Sequence, residues 1–235
     1  MTQFTVSRRQ MLAGAAAFGA LAPFGGVALA QEPGRWPAVS RLITRYVEQR
    51  KVANMVAALG IGDGAPTFLG AGVDGFGQPR RADADSIYRI YSMTKPITGM
   101  ATMILIDEGK LGLDQPLHEI LPKFANMQVQ KAYDGPITPE NLEPAVRLGI
   151  SNLLPDTLAP GGEYEQGAWD FGAGGRVGKG ANAGAYGWAG AAGTIGFVHH
   201  PLGLRAGLYT QYMPQMAYPL IDEFPAAILA DLGRA

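Results

Sequence analysis

Ser92 and Lys95 stand three residues apart in the run Tyr91-Ser92-Met93-Thr94-Lys95-Pro96. On a helix that spacing puts both side chains on one face, so the amine can approach the hydroxyl. A serine hydroxyl is a weak nucleophile near neutral pH and needs a base to take its proton. A lysine amine can serve once burial or a neighbouring cation favours its neutral form. The first turn of a helix adds free backbone N–H groups, which favour an anion developing nearby. Pro96 lacks an N–H, so an early helical bond is lost and the turn should be distorted. The pair alone also fits a solvent-facing helix start, because Ser and Lys are common. Its context argues for chemistry. A strand-like segment, Ile87–Ile90, leads in and an apolar helix leads out, which predicts Ser92 at a strand-to-helix junction above a buried helix.

The rest of the chain must position that junction. Val39, Leu42, Ile43 and Tyr46 repeat at helical spacing over residues 35–50, with Pro37 suited to the first turn. Val52–Ile61, the turn Asp63-Gly64 and Thr67–Leu69 read as a β-hairpin. Ile97, Met100, Ala101, Ile104 and Leu105 predict a helix over 93–108, stopped by Gly109. Residues 114–125 predict a short helix capped by Asp114, and Pro136–Pro144 a loop. Residues 161–196 hold 13 Gly, which excludes a regular helix. Trp169, Phe171, Tyr186 and Trp188 punctuate that stretch and predict ordered, tightly turning strands rather than a linker. Ile195–Val198 and Leu204–Tyr209 read as paired strands, and 214–232 as a closing helix. The order predicts an α+β fold, an antiparallel sheet flanked by helices.

Composition narrows the function classes. The formal net charge is -1 and no Lys/Arg run is present, so nothing favours nucleic acid. Cys is absent, which excludes disulfides and thiol catalysis, and three His give little basis for a metal site. No metal or cofactor is expected. Residues 1–30 carry Arg8-Arg9, an uncharged stretch with Pro23, and Ala28-Leu29-Ala30, small residues suited to signal cleavage. A membrane helix is the alternative, since about 20 residues can span a bilayer. The Gly/Pro content and the cleavage pattern favour a twin-arginine export signal. The mature chain is then 31–235, periplasmic or secreted, with no stable membrane anchor after signal removal.

The run Ser86 to Gly99, the continuation Leu111-Gly112-Leu113-Asp114-Gln115-Pro116 with Leu121-Pro122, and the late block Gly187-Trp188-Ala189-Gly190-Ala191-Ala192-Gly193-Thr194 resemble serine hydrolases of the class C β-lactamase-related group, the family VIII-type esterases. The resemblance implies a β-lactamase/transpeptidase-like fold. It implies Ser92 as acylated nucleophile, Lys95 as proton acceptor, and the backbone N–H groups of Ser92 and Ala191 as oxyanion hole. Trp188, Ala189 and Gly190 would line the substrate strand. Trp188 stands where β-lactamases carry a lysine, which favours small-molecule ester or acyl substrates over β-lactams.

The chain departs from that pattern in one large respect. The family's Tyr-containing second motif and its His-Thr-Ser-Gly-Leu stretch do not occur. Arg147 passes straight to Leu148, as though the helical subdomain were largely missing, about a hundred residues by typical domain sizes. Tyr91 adjoins the nucleophile but should point away. Tyr133, Tyr164 and Tyr186 read as packing or surface residues, and His199-His200 with Pro201 as a turn. The alternative to an esterase is therefore an impaired or inactive truncated paralogue, or a binding module. Apolar surface left uncovered by the loss would favour self-association.

Overall fold

The computed structural model describes residues 34–132, 134–144 and 169–233. In chain order the elements are α1 (Pro37–Glu48), β1 (Asn54–Ile61), β2 (Thr67–Gly72), a 3-10 turn (Tyr91–Met93), α2 (Thr94–Asp107), α3 (Leu117–Ile120), β3 (Gln128–Gln130), β4 (Leu142–Pro144), β5 (Trp169–Gly172), β6 (Gly175–Gly178), β7 (Ala185–Ala189), β8 (Ile195–His199), β9 (Leu204–Tyr209) and α4 (Leu220–Asp231). The protein is of mixed α/β type with antiparallel strand pairs. Its described residues divide into two compact units, one within 34–89 and 201–233, the other within 90–200.

In the first unit β1 is the central strand, paired with β2 from Asn54↔Gly72 to Leu59↔Thr67 and with β9 from Val56↔Tyr209 to Ile61↔Leu204. Helix α1 buries the stripe Val39, Leu42, Ile43 and Tyr46. Helix α4 buries Leu220, Phe224 and Ile228, four residues apart, and each such side chain contributes about 1.5–3 kcal/mol when removed from water. No side chain of its own caps α1. Instead the Asp231 carboxylate accepts from the N–H groups of Ala38 (2.7 Å) and Val39 (3.0 Å), an anion at the positive end of the helix. The Tyr46 hydroxyl donates to Glu223 at 2.8 Å, and burial together with that carboxylate holds the phenol above its ordinary range.

Two expectations for this unit change. Ile87–Ile90 is not a strand, and Ile87 is 97% exposed. The Gln211 carboxamide takes the place of a partner strand: its Nε2 donates to the Arg89 carbonyl (3.1 Å) and its Oε1 accepts from the Arg89 N–H (3.2 Å). The closing helix begins at Leu220 rather than near 214, because Pro214 and Pro219 interrupt the helical register.

In the second unit β5–β6–β7–β8 run antiparallel, from Trp169↔Gly178 to Ala189↔Ile195. Part of the glycine-rich stretch is thus ordered strand, as its aromatics suggested; its first residues, 161–168, lie outside the described set. The 114–125 helix shrinks to α3. Pro116 precedes it, Pro122 follows it, and Gln115 rather than Asp114 closes the turn, accepting from the Gly112 N–H at 3.0 Å. The end of the expected 136–144 loop forms β4, which pairs with β3. Helix α2 forms where its spacing predicted, but its burial does not follow. Gly99 is its one buried residue, while Ile97, Met100, Ile104 and Leu105 are exposed.

Candidate active site

Ser92 sits in the middle of the Tyr91–Met93 turn, which runs directly into α2. Tyr91 has φ +45°, a left-handed conformation that is uncommon for a non-glycine residue and costs about 1–3 kcal/mol. The backbone is therefore strained immediately before the candidate nucleophile. The Tyr91 side chain is exposed. Lys95 Nζ donates to Ser92 Oγ at 2.7 Å, so the spacing read from the sequence brings the two groups into contact. A neutral amine would accept the hydroxyl proton along the same line.

The end of β7 is tied to this turn through one carbonyl. Ile90 O accepts from the Met93 N–H at 3.0 Å and from the Thr194 hydroxyl at 3.2 Å. Thr194 is fully buried. A Cβ on Gly190 would collide with that same Ile90 carbonyl and with Thr194, so glycine is required for the approach. Gly190 to Thr194 form a closed turn, in which Gly193 N–H donates to Gly190 O and Gly190 N–H to Thr194 O. Ala191 and Ala192 occupy its central positions, whose N–H groups a β-turn does not use. The Ser92 turn and the Ala191 turn thus share an anchor at Ile90.

Helix α2 is supported from the β5–β6 turn. A Cβ on Gly99 would overlap the Ala173 carbonyl, and Gly174, at φ +80°, lies against the Lys95 carbonyl. The Tyr186 hydroxyl donates to Ala173 O at 2.7 Å and reaches Pro96 O at 3.5 Å. Tyr186 belongs to β7, and burial pushes its phenol above the ordinary range. A phenol engaged this way is a structural strut and a poor proton acceptor. Tyr133 and Tyr164 lie outside the described residues. His199 ends β8 and His200–Leu202 form a turn, as read.

Trp188 and Ala189 close β7. Trp188 packs edge-on against Phe171, with ring centroids 5.2 Å apart, beneath the Arg176 guanidinium. Thr194, Gly99 and Arg176 were not singled out for these roles from sequence, whereas Tyr186 is the packing residue it was read to be. Gly99 had a signal: a glycine inside an apolar helix costs about 1 kcal/mol and implies close packing. Thr194 and Arg176 had none. Among the described residues no group of His, Asp and Glu could hold a metal ion, and no helix is long and apolar enough to cross a membrane.

Residues 39–143 match the family model described as Beta-lactamase. Two Mycobacterium tuberculosis proteins, "Uncharacterized protein MT1414" and "Protein Rv1367c", are each 32% identical over 123 residues. That match covers 50% of this chain and 28% of theirs, so the chain spans under a third of these relatives' length. The solved structure "EstCE1, a hydrolase with promiscuous acyltransferase activity" superimposes with TM-score 0.60 at 12% identity, covering 82% of this chain and 97% of that one. A family VIII carboxylesterase gives TM-score 0.59 at 15% identity, covering 86% and 98%. At such identities the likeness defines the fold. The chain has a β-lactamase-like fold, and the match over residues 39–143 agrees with it.

Proposed function

We propose that the protein is a serine hydrolase that cleaves small carboxylic esters through an acyl-enzyme on Ser92. The observation that carries this reading is the 2.7 Å contact between Lys95 Nζ and Ser92 Oγ at the start of α2. Lys95 takes the hydroxyl proton as Ser92 Oγ attacks the ester carbonyl. The N–H groups of Ser92 and Ala191 receive the oxyanion, each such donor being worth about 3–4 kcal/mol in the transition state. The alcohol leaves, and water releases the acid. Trp188, Ala189 and Gly190 form the substrate strand.

A fluorophosphonate probe tests the reading on the purified mature chain. We expect stoichiometric labelling that Ser92→Ala abolishes; no labelling, or labelling that persists in Ser92→Ala, would sink it.

A second reading, an impaired paralogue or a binding module, is favoured by a specific observation. Among the described residues the recorded side-chain partner of Ser92 Oγ is Lys95 alone, and the Tyr186 phenol is turned to Ala173. It predicts labelling of Ser92 without turnover of p-nitrophenyl esters.

We also infer export through the twin-arginine signal in residues 1–30, which lie outside the described residues, with a mature chain that begins at Gln31. Mass spectrometry of the periplasmic fraction reads that start directly, and a chain retained whole in the cytoplasm would refute it. The exposed face of α2, with Ile97 60% and Met100 50% accessible, supports self-association. Sedimentation that stays monomeric across a wide concentration range would count against it.

A further inference from the structure

Arginine offers five N–H donors and no acceptor, so a guanidinium inside a protein needs anions or carbonyls around it. Among the described residues, Arg176 on β6 has no ion pair and its Nε has no hydrogen-bond acceptor. It is partly buried, and its Nε is shielded from solvent. The nearby acid on β5, Asp170, is paired with Lys179 at 3.7 Å. The recorded contact of the Arg176 guanidinium is instead an aromatic face, with its central carbon 5.1 Å from the Trp188 ring centroid. Phe171 meets that same indole edge-on at 5.2 Å. Buried unpaired donors are rare in native proteins and call for an explanation in each case, a bound anion among them.

Position supplies the ligand's chemistry. Arg176 lies across from Gly187 in the β6–β7 register, one residue before Trp188. Ala191 is three residues beyond Trp188, in the turn that follows β7, so the two lie at most about 10 Å apart along the chain. An arginine side chain and a short acyl chain together span such a distance.

We propose that Arg176, held over Trp188, forms a subsite for a carboxylate on the acyl part of the substrate, so that the enzyme prefers half-esters of short dicarboxylic acids. This rests on the serine-hydrolase reading of Ser92. In the reaction the bond from Ser92 Oγ to the acyl carbon forms as the ester C–O bond breaks. The serine proton passes through Lys95 to the departing alcohol. Water then cleaves the acyl-enzyme and releases the free dicarboxylate, with no redox step. The far carboxylate stays on Arg176 throughout.

Two esters of equal chain length separate charge from size: mono-p-nitrophenyl glutarate and p-nitrophenyl valerate. In the mature protein the glutarate ester should have the higher kcat/KM. In Arg176→Gln the glutarate-to-valerate ratio should fall about 10-fold or more, the loss of one charge-assisted pair. Arg176→Lys should retain part of the ratio, because it keeps the charge without the planar fork. Using the ratio removes any general loss of folded enzyme. An unchanged ratio in Arg176→Gln overturns the proposal.

Calorimetric titration of glutarate into Ser92→Ala protein reads the subsite without turnover. Binding that disappears in Ser92→Ala/Arg176→Gln supports it; absent binding, or binding equal in both, overturns it. Inorganic phosphate binding as tightly as glutarate also overturns it, since the site would then be a general anion site. If neither ester turns over while glutarate still binds through Arg176, the hydrolase reading fails and the subsite stands.

Discussion

Lys95→Met is expected to slow acylation of Ser92 by about 100- to 10,000-fold, the usual contribution of a positioned general base. Methionine keeps the length and flexibility of the side chain but cannot accept a proton. Lys95 is exposed, so its loss should leave the unfolding midpoint nearly unchanged. The measurement is the second-order rate of fluorophosphonate labelling, with a denaturant melt alongside. A labelling rate within a few-fold of the parent would remove Lys95 from the mechanism. It would mean that the 2.7 Å contact with Ser92 Oγ is only a surface hydrogen bond. A rate loss accompanied by an equal loss of stability would point to structure instead.

Gly99→Ala should destabilise the unit that holds the site, against the trend for such a change. In an open helix the substitution gains about 1 kcal/mol of helix propensity. Here the new methyl group would strike the Ala173 carbonyl, a backbone atom that cannot rotate away. Overpacking of that kind costs about 1–3 kcal/mol and at times more. With backbone on both sides the clash outweighs the gain, so a net loss of about 1–2 kcal/mol, from the upper part of that range, is expected in a denaturant melt. The acylation rate should fall too, because the same contact seats the turn that carries Ser92. A variant as stable as the parent would show that the β5–β6 turn does not support α2.

The parts of the fold legible in the sequence were those set by local patterns. The α1 stripe, the β1–β2 hairpin, the stop of α2 at Gly109 and the three-residue spacing of Ser92 and Lys95 all depend on neighbours in the chain. The aromatics among the glycines pointed correctly to strands β5 and β7. What escaped depends on distant partners. Ile87–Ile90 has strand-like residues, but a single glutamine 122 residues away satisfies Arg89. The cap of α1 comes from the far end of the chain. The apolar pattern of α2 suggested burial, which periodicity alone cannot decide, because it shows which face is apolar and not whether anything covers it. In the site, Ser92 and Lys95 were readable by type and spacing. The shared Ile90 carbonyl, Thr194 and Arg176 were not, because a carbonyl leaves no mark in a sequence and a threonine or arginine on a strand is commonplace.

The Asp231 carboxylate on the start of α1 also bears on the order in which the chain can fold. Ala38 and Asp231 are 193 residues apart. A ribosome adds about 5–20 residues per second, so helix α1 emerges many seconds before the group that caps it. Strand β1 likewise waits for β9 to complete its second edge. Contacts of such long sequence separation form slowly and leave apolar faces uncovered meanwhile. The first unit therefore closes only after the whole intervening stretch, site included, has been made. Its last helix acts as a latch, and until residue 231 arrives the N-terminal third has no finished structure to hold.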